Sequence, residues 1–314
     1  MSALTSVIIV SHWSGATIGA CLDQVLAAAG NHQVIVADNQ SGDDTLMEVR
    51  QRLDAQPAGD PDALPARLKL IANDHNRGFA SACNQGAAVA DGDVLVFLNP
   101  DAFVAADSLA RLRSLLASRP GLGLLGCRVV DQAGRPSGPQ RRREPPWRRS
   151  LMSLTGLARF EHRWPALAGI EHPAGLGSMA KAPGEPVDPV DAVNGALMML
   201  PAPVFHAIGG FDKGFRLHAE DLDLCRRVRE AGWLVGHASA IVITHIGGVS
   251  SRRRPLWVHW CKTRSLWRYF RKHEPQAGPL LRLAVASGLL LRWALAVPAA
   301  VLASVRNRLR SGRG

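Results

Sequence analysis

Asp93-Val-Leu-Val-Phe-Leu-Asn-Pro-Asp101 is a short apolar run that ends in a carboxylate. An unbroken apolar stretch such as Val94 to Leu98 marks a strand covered on both faces, as in a parallel sheet flanked by helices. In open α/β sheets the ligand crevice lies beyond the carboxyl ends of the strands, so Asp101 is placed to face a ligand rather than the core. That makes it a candidate metal ligand. Gln33-Val-Ile-Val-Ala37 likewise runs into Asp38, and Leu68-Lys-Leu-Ile-Ala72 runs through Asn73 towards Asn76-Arg77-Gly78-Phe79.

Working outward, the first half of the chain alternates strand and helix signals. Ser6 to Ser11 reads as a strand followed by a helix through Leu26, with further strands at Val34–Ala37, Leu68–Ala72, Val94–Leu98 and Gly123–Val130. The class is α/β. Gln51 to Ala66 reads as a loop after a short helix. From Asp131 to Asp188 proline, glycine and arginine replace the regular pattern, and a stretch of that length is more often functional than idle. Regularity returns at Val193–Leu200, a helix near Pro203, a helix from Glu220 to Ala231 stopped by Gly232, and a strand at Ala240–Thr244.

With 314 residues and 47% apolar content the chain is long enough to bury an ordinary core. Its formal charge of +11 is uneven: Arg135 to Arg149 sets six arginines against Glu144, and more follow at Arg252–Arg254 and in the last nine residues. Such clusters suit phosphate groups of lipid, nucleotide or nucleic acid. A nucleic-acid-binding protein is the reading of a different class that the charge allows, but no nucleic-acid motif accompanies it and aromatics are few. Five scattered cysteines, odd in number and without metal-ligand spacing, read as reduced thiols of a cytosolic protein. The N-terminal apolar run is too short and too β-branched for a signal peptide, so secretion is not expected.

The second constellation is Phe211-Asp-Lys-Gly-Phe-Arg-Leu-His-Ala-Glu220-Asp221-Leu-Asp223. Three acids at a helix start complement the macrodipole and often serve as caps. Inside a cleft, one of them can instead deprotonate a hydroxyl nucleophile.

Five segments in order, VADNQSGDDT (36–45), NRGFASACNQGAAVADGDVLVFLNPDAFV (76–104), VNGALMML (193–200), GGFDKGFRLHAEDLDLCRR (209–227) and THIGGVS (244–250), resemble glycosyltransferase family 2, specifically its rhamnosyltransferase-like branch. The resemblance implies a GT-A nucleotide-sugar-binding (Rossmann-like) fold over residues 1–250, Mg²⁺ or Mn²⁺, and a single-displacement transfer that inverts the anomeric centre. Asp38 resembles the carboxylate that hydrogen-bonds the nucleotide base, with Asn39, Ser41 and Asp43 shaping the same loop. Asn76, Arg77, Gly78, Phe79 and Asn99 would line the diphosphate and sugar side. Asp101 occupies the last position of the family's Asp-x-Asp metal motif, and His245 resembles a further metal ligand. Asp221 matches the catalytic base, with Gly195, Ala196 and Glu220 on the acceptor side. The chain departs from the family at Ser11-His12-Trp13, where a Tyr-Asn pair is usual, and at Leu200-Pro201, where arginines are common.

These roles imply a glycosyltransferase that moves L-rhamnose from dTDP-L-rhamnose to a lipid-linked or polysaccharide acceptor in bacterial envelope synthesis. A UDP-hexose is the rival donor. A sugar-nucleotide-binding protein without turnover is the further alternative, which Asp101 and Asp221 argue against. Residues 251–314 read as a basic, amphipathic helical extension. Lys262–Lys272 is basic and aromatic-bearing, and the apolar runs Leu283–Leu291 and Trp293–Val305 are divided by Arg292 and interrupted by Pro298. Each run falls short of the roughly 18 residues of a spanning helix. The expected location is therefore peripheral, at the cytoplasmic face of the inner membrane, with basic residues near anionic headgroups; a tilted span tolerating Arg292, at about 2.5–3.5 kcal/mol, is the alternative.

Overall fold

The computed structural model describes residues 4–55, 67–138, 140–142, 163, 186–248 and 255–311. The strands are β1 (Thr5–Ser11), β2 (His32–Asp38), β3 (Leu68–Ala72), β4 (Val94–Leu98), β5 (Ala102–Val104), β6 (Leu122–Val130), β7 (Arg141–Arg142), β8 (Val187–Pro189), β9 (Ala192–Val193), β10 (Leu197–Pro201) and β11 (Leu234–His245). The helices are α1 (Gly15–Ala27), α2 (Thr45–Asp54), α3 (Phe79–Ala88), α4 (Ser108–Ala117), α5 (Ala202–Ala207), α6 (Glu220–Glu230), α7 (Pro255–His273) and α8 (Pro279–Ser311).

One large sheet runs in the order β3-β2-β1-β4-β10-β6-β11-β5, with β8 on β11. The side chains of β1 alternate between two cores: Val7 and Ile9 join the cluster under α1 and α4, and Ile8 and Val10 join the one with Phe97, Phe205 and Phe211. Each such fully buried side chain contributes about 1.5–3 kcal/mol relative to an exposed one. Burial on both faces is what the unbroken apolar runs predict. Strand direction is not. β1 to β4 are mutually parallel, but β10 lies antiparallel between β4 and β6, so the sheet is mixed. A strand buried on both faces has the same composition whichever way it runs.

Because β10 is antiparallel to both its neighbours and β11 is parallel to β6, strands β1, β2, β3, β4, β6 and β11 all point the same way. Their carboxyl ends form one edge. β11 also pairs antiparallel with β5, His245 opposite Ala102, which brings the end of β11 beside Asp101.

The regular segment Val193–Leu200 spans the end of β9, the turn Asn194-Gly195-Ala196 and most of β10. β9 pairs with β7, placing Arg142 opposite Ala192. Most of 131–188, much of the 51–66 loop and the basic run 252–254 lie outside the described residues. The sequence pattern above does not mark strand β5 or helices α3 and α4, although α4 buries Leu109, Leu112, Leu115 and Leu116 at helical spacing. All five cysteines are free and buried.

At the C-terminus Arg292 and Pro298 do not break the chain into separate segments. α8 is one helix of 33 residues, and its portion Pro279–Pro298 is long and apolar enough to cross a membrane. Leu280, Leu283, Leu290, Leu291 and Leu295 are exposed along it, whereas Leu289 is buried. Trp293 meets Trp260 of α7 with ring centroids 5.6 Å apart, which fixes the inward side of α8 against α7.

Candidate functional site

A cleft of about 920 Å³ opens at the shared carboxyl edge of the sheet, lined among others by Trp13, Asn39, Asn99, Asp101, His218 and His245. Among the described residues, Trp13, Gln40, His218 and Ala219 are the non-glycine residues with left-handed backbone, and the first three line this cleft. Each such residue costs roughly 1–2 kcal/mol, a strain that folded proteins concentrate where geometry serves a ligand.

The loop after β2 is held by a saturated hydrogen-bond net. The fully buried Asp38 accepts from Ser11 Oγ at 2.7 Å, Ser41 Oγ at 2.6 Å and the Ser41 amide at 2.8 Å. Its carboxylate is turned inward, and Asn39, Ser41 and Gly42 present the loop to the cleft. Ser41 Oγ also accepts from the Trp13 amide at 2.9 Å. Asp43 accepts from the Gly15 amide at 3.1 Å and from the Thr45 amide and hydroxyl, tying the starts of α1 and α2 together. Asn39 reaches the neighbouring loop, donating to the Gly78 carbonyl at 3.3 Å and accepting from the Arg77 amide at 3.3 Å.

That second loop places Asn76, Gly78 and Phe79 on the cleft, while Arg77 lines an adjacent one together with Arg264 and Arg268. Gly78 has φ +83°, and a Cβ there would meet the Arg216 carbonyl at 3.1 Å, so no larger residue fits without strain.

At the far end of β4, Asp101 Oδ1 lies 3.0 Å from His245 Nε2, and Asn99 Nδ2 lies 3.2 Å from the same nitrogen. Asp101 Oδ2 accepts from the Gly247 amide at 3.0 Å, which fixes the carboxylate. Among the described residues no third Asp, Glu, His or Cys completes a metal-binding cluster. A hard cation that keeps its waters and binds substrate phosphates needs only one or two protein ligands. The pair therefore fits Mg²⁺ or Mn²⁺.

The turn Asn194-Gly195-Ala196 connects this end to the acidic pair. The buried Ala196 accepts from the Asn99 amide at 3.0 Å through its carbonyl, and a Cβ on Gly195 would stand 3.0 Å from Asp221 Oδ2. The first turn of α6 then separates its three acids. Asp223 is fully buried and bound to Arg227 and His273 at 2.8 Å and Lys272 at 2.7 Å, so it pins α7 to α6. Asp221 Oδ2 accepts from Arg142 Nη2 at 2.8 Å and its Oδ1 from the Leu222 amide at 2.9 Å. Glu220 Oε2 is enclosed and, among the described residues, without a partner. Burial, and then the charge of Asp221, push the Glu220 carboxyl up to about 8. The helix is capped by the left-handed Ala219 with no side-chain cap bond, so the acids are not there as N-caps.

The model of glycosyl transferase family 2 matches residues 6–173, more than half of the chain. The chain belongs to this family. It is a glycosyltransferase, and its mixed sheet is the GT-A fold. It is 24% identical over 293 residues, 90% of its length and 88% of the relative's, to an N-acetylglucosaminyl-diphospho-decaprenol L-rhamnosyltransferase of Mycobacterium tuberculosis. It is 23% identical over 190 residues, 59% of its length and 54% of the relative's, to a low-salt glycan biosynthesis hexosyltransferase of Haloferax volcanii. Among solved structures it resembles a mannosyltransferase from Pyrobaculum calidifontis in complex with GDP-Man and Mn²⁺, with a TM-score of 0.57 and 19% identity over 95% of this chain and 73% of that one.

Several residues in this glycosyltransferase's cleft or beside the acidic pair carry no signal in the sequence. Arg142 is 79 positions from Asp221 and meets it only through the β7–β9 pairing. Arg216 and Trp257 line the cleft from loops and helices whose patterns say nothing of it. His218 stands two residues before Glu220, a neighbour of the acidic pair that the motif itself could have flagged.

Proposed function

We propose that this glycosyltransferase moves L-rhamnose from dTDP-L-rhamnose, with inversion, to a lipid-linked acceptor of the bacterial envelope. The observation that carries the reaction type is the Asp221 carboxylate, which faces Arg142 at 2.8 Å and lies against Gly195, in the turn whose next residue binds Asn99. Burial, and then the charge of Asp221, push the neighbouring Glu220 carboxyl up to about 8, so the two adjacent acids are not equivalent, and the base is assigned to Asp221. Asp221 takes the proton of the acceptor hydroxyl as the bond to the nucleoside diphosphate breaks, and Gly195 leaves the room that carboxylate needs.

Asn39, Ser41, Asn76, Gly78 and Phe79 would bind the donor, with Asp38 and Asp43 stiffening the loops beneath. A divalent cation held by Asp101 and His245 would neutralise the charge left on the diphosphate. The donor sugar and the lipid-linked acceptor rest on the rhamnosyltransferase name of the Mycobacterium relative. The one-sided exposure of leucines along α8, opposite Trp293, favours a helix lying in the headgroup region at the cytoplasmic face over one that crosses.

Hydrolysis of a panel of nucleotide sugars, with and without Mg²⁺ or Mn²⁺, tests the reading. Metal-dependent turnover of dTDP-L-rhamnose above all others is expected; preferential turnover of a UDP-hexose would replace the donor, and undiminished turnover after exhaustive chelation would remove the metal.

A further inference from the structure

Three cations converge behind Asp221 from three separate segments. Arg142 of β7 donates to Asp221 Oδ2, and the charges of Lys262 on α7 and Arg292 on α8 both reach His218 together with that of Arg142. Lys262 in turn feels Arg292, Arg142 and Asp221. Glu220 makes no ion pair among the described residues, so Asp221 stands against three cations. His218 lies among the same charges, its imidazole pushed down to about 4 first by burial and then by the charge of Lys262. Arg142 Nε, Arg292 Nε and His218 Nε2 are all enclosed and, among the described residues, have no hydrogen-bond partner. Enclosed donors and like charges gathered in this way are costly unless an anion meets them. Lys262 is solvent-exposed, so the cluster has an open mouth.

Arg292 sits within the apolar stretch of α8, half-buried and with its Nε enclosed, on the side turned to the protein. The exposed leucines of the same helix lie on the other side. One helix thus offers an apolar face for a prenyl chain or bilayer and a guanidinium beside the base.

We propose that Arg142, Lys262 and Arg292 form the binding site for the diphosphate of a prenyl-linked acceptor, holding the sugar it carries against Asp221. The proposal rests on the lipid-linked reading above and names the residues that recognise that acceptor. A diphosphate diester brings a negative charge on each phosphate, which matches the surplus, and guanidinium groups suit phosphate oxygens.

The test is calorimetric binding of farnesyl diphosphate, a prenyl diphosphate without sugar, to the full-length protein in detergent. Arg292→Gln and Lys262→Gln should each weaken binding about tenfold, the loss of roughly one charge-assisted hydrogen bond. Arg292→Lys should recover most of it, which separates charge from folding. Arg264→Gln, in the adjacent Trp-lined cleft, should leave it unchanged. Wild-type affinity in both Gln variants, or a loss confined to Arg264→Gln, overturns the site. No binding of farnesyl diphosphate to the wild type would instead sink the lipid-linked reading itself. Flotation with phosphatidylglycerol vesicles separates the acceptor from bulk headgroups: Arg292→Gln should float like the wild type, and an equal loss there would make the cluster a headgroup contact and the proposal wrong.

Discussion

The loop after β2 and the surroundings of Asp221 are built on opposite plans. Around Asp38, Asn39, Ser41 and Asp43 the polar side chains are tied to one another, and Asp38 alone receives three hydrogen bonds from Ser11 and Ser41. Around Asp221, four enclosed polar atoms, on Arg142, His218, Glu220 and Arg292, have no partner among the described residues. A saturated net fixes a shape before any ligand arrives. Unmatched charges and donors belong where the substrate supplies the match. On the proposed assignment, the end at Asp38 is preformed for the donor and the end at Asp221 is completed by the acceptor.

The contrast can be broken from either side. Gly195→Ala puts a methyl group 3.0 Å from Asp221 Oδ2 and should displace the base. Such a shift should lower kcat, by less than the about 100-fold that a 1 Å misplacement costs; steady-state kinetics showing an unchanged kcat would mean that Asp221 does not need its present position. Asp38→Ala should act on the other end, through stability, by about 2 kcal/mol in denaturant unfolding, because Ser11 and Ser41 are left with buried, unpaired groups. A cost near zero would show that the net is not what shapes the donor loop.

A third test uses pH. Glu220 titrates at about 8 in the folded protein, above its value of 4.5 when unfolded. Its contribution to stability is thus fully present below about pH 4.5 and lost as pH rises through about 8. Glu220→Gln removes that loss, so its Tm should exceed that of the wild type at pH 8–9 and converge with it near pH 4. A difference independent of pH would place an ionised carboxylate at position 220.

The donor end was also the more legible in the sequence. Asp38, Asn76–Phe79 and Asp101 follow apolar strands directly, so local pattern and the strand-end rule locate them together. His245 needed more: the pattern places it after a strand, but only the β5–β11 register sets it beside Asp101. The acidic turn was visible as a motif, yet the division of labour within it was not. Asp223 serves as an anchor for α7 because His273 and Lys272 arrive from 50 residues away, a contact that no local spacing encodes. The mixed direction of the sheet escaped for a related reason, since burial and not direction determines strand composition. In the C-terminal region, counting apolar runs treated Arg292 as a divider. In the folded chain the helix continues through it, because that side chain turns towards the protein instead of the surrounding medium.

A paired measurement on Asp101→Asn and Asp221→Asn tests the central claim most directly: equilibrium binding of dTDP-L-rhamnose with Mn²⁺, beside single-turnover transfer to a prenyl-diphosphate-linked sugar. If the cleft is divided as described, Asp101→Asn loses metal-dependent donor binding, whereas Asp221→Asn binds the donor as the wild type does and loses transfer by at least about 100-fold. Full transfer by Asp221→Asn, or loss of donor binding in that variant with Asp101→Asn unaffected, would contradict the account.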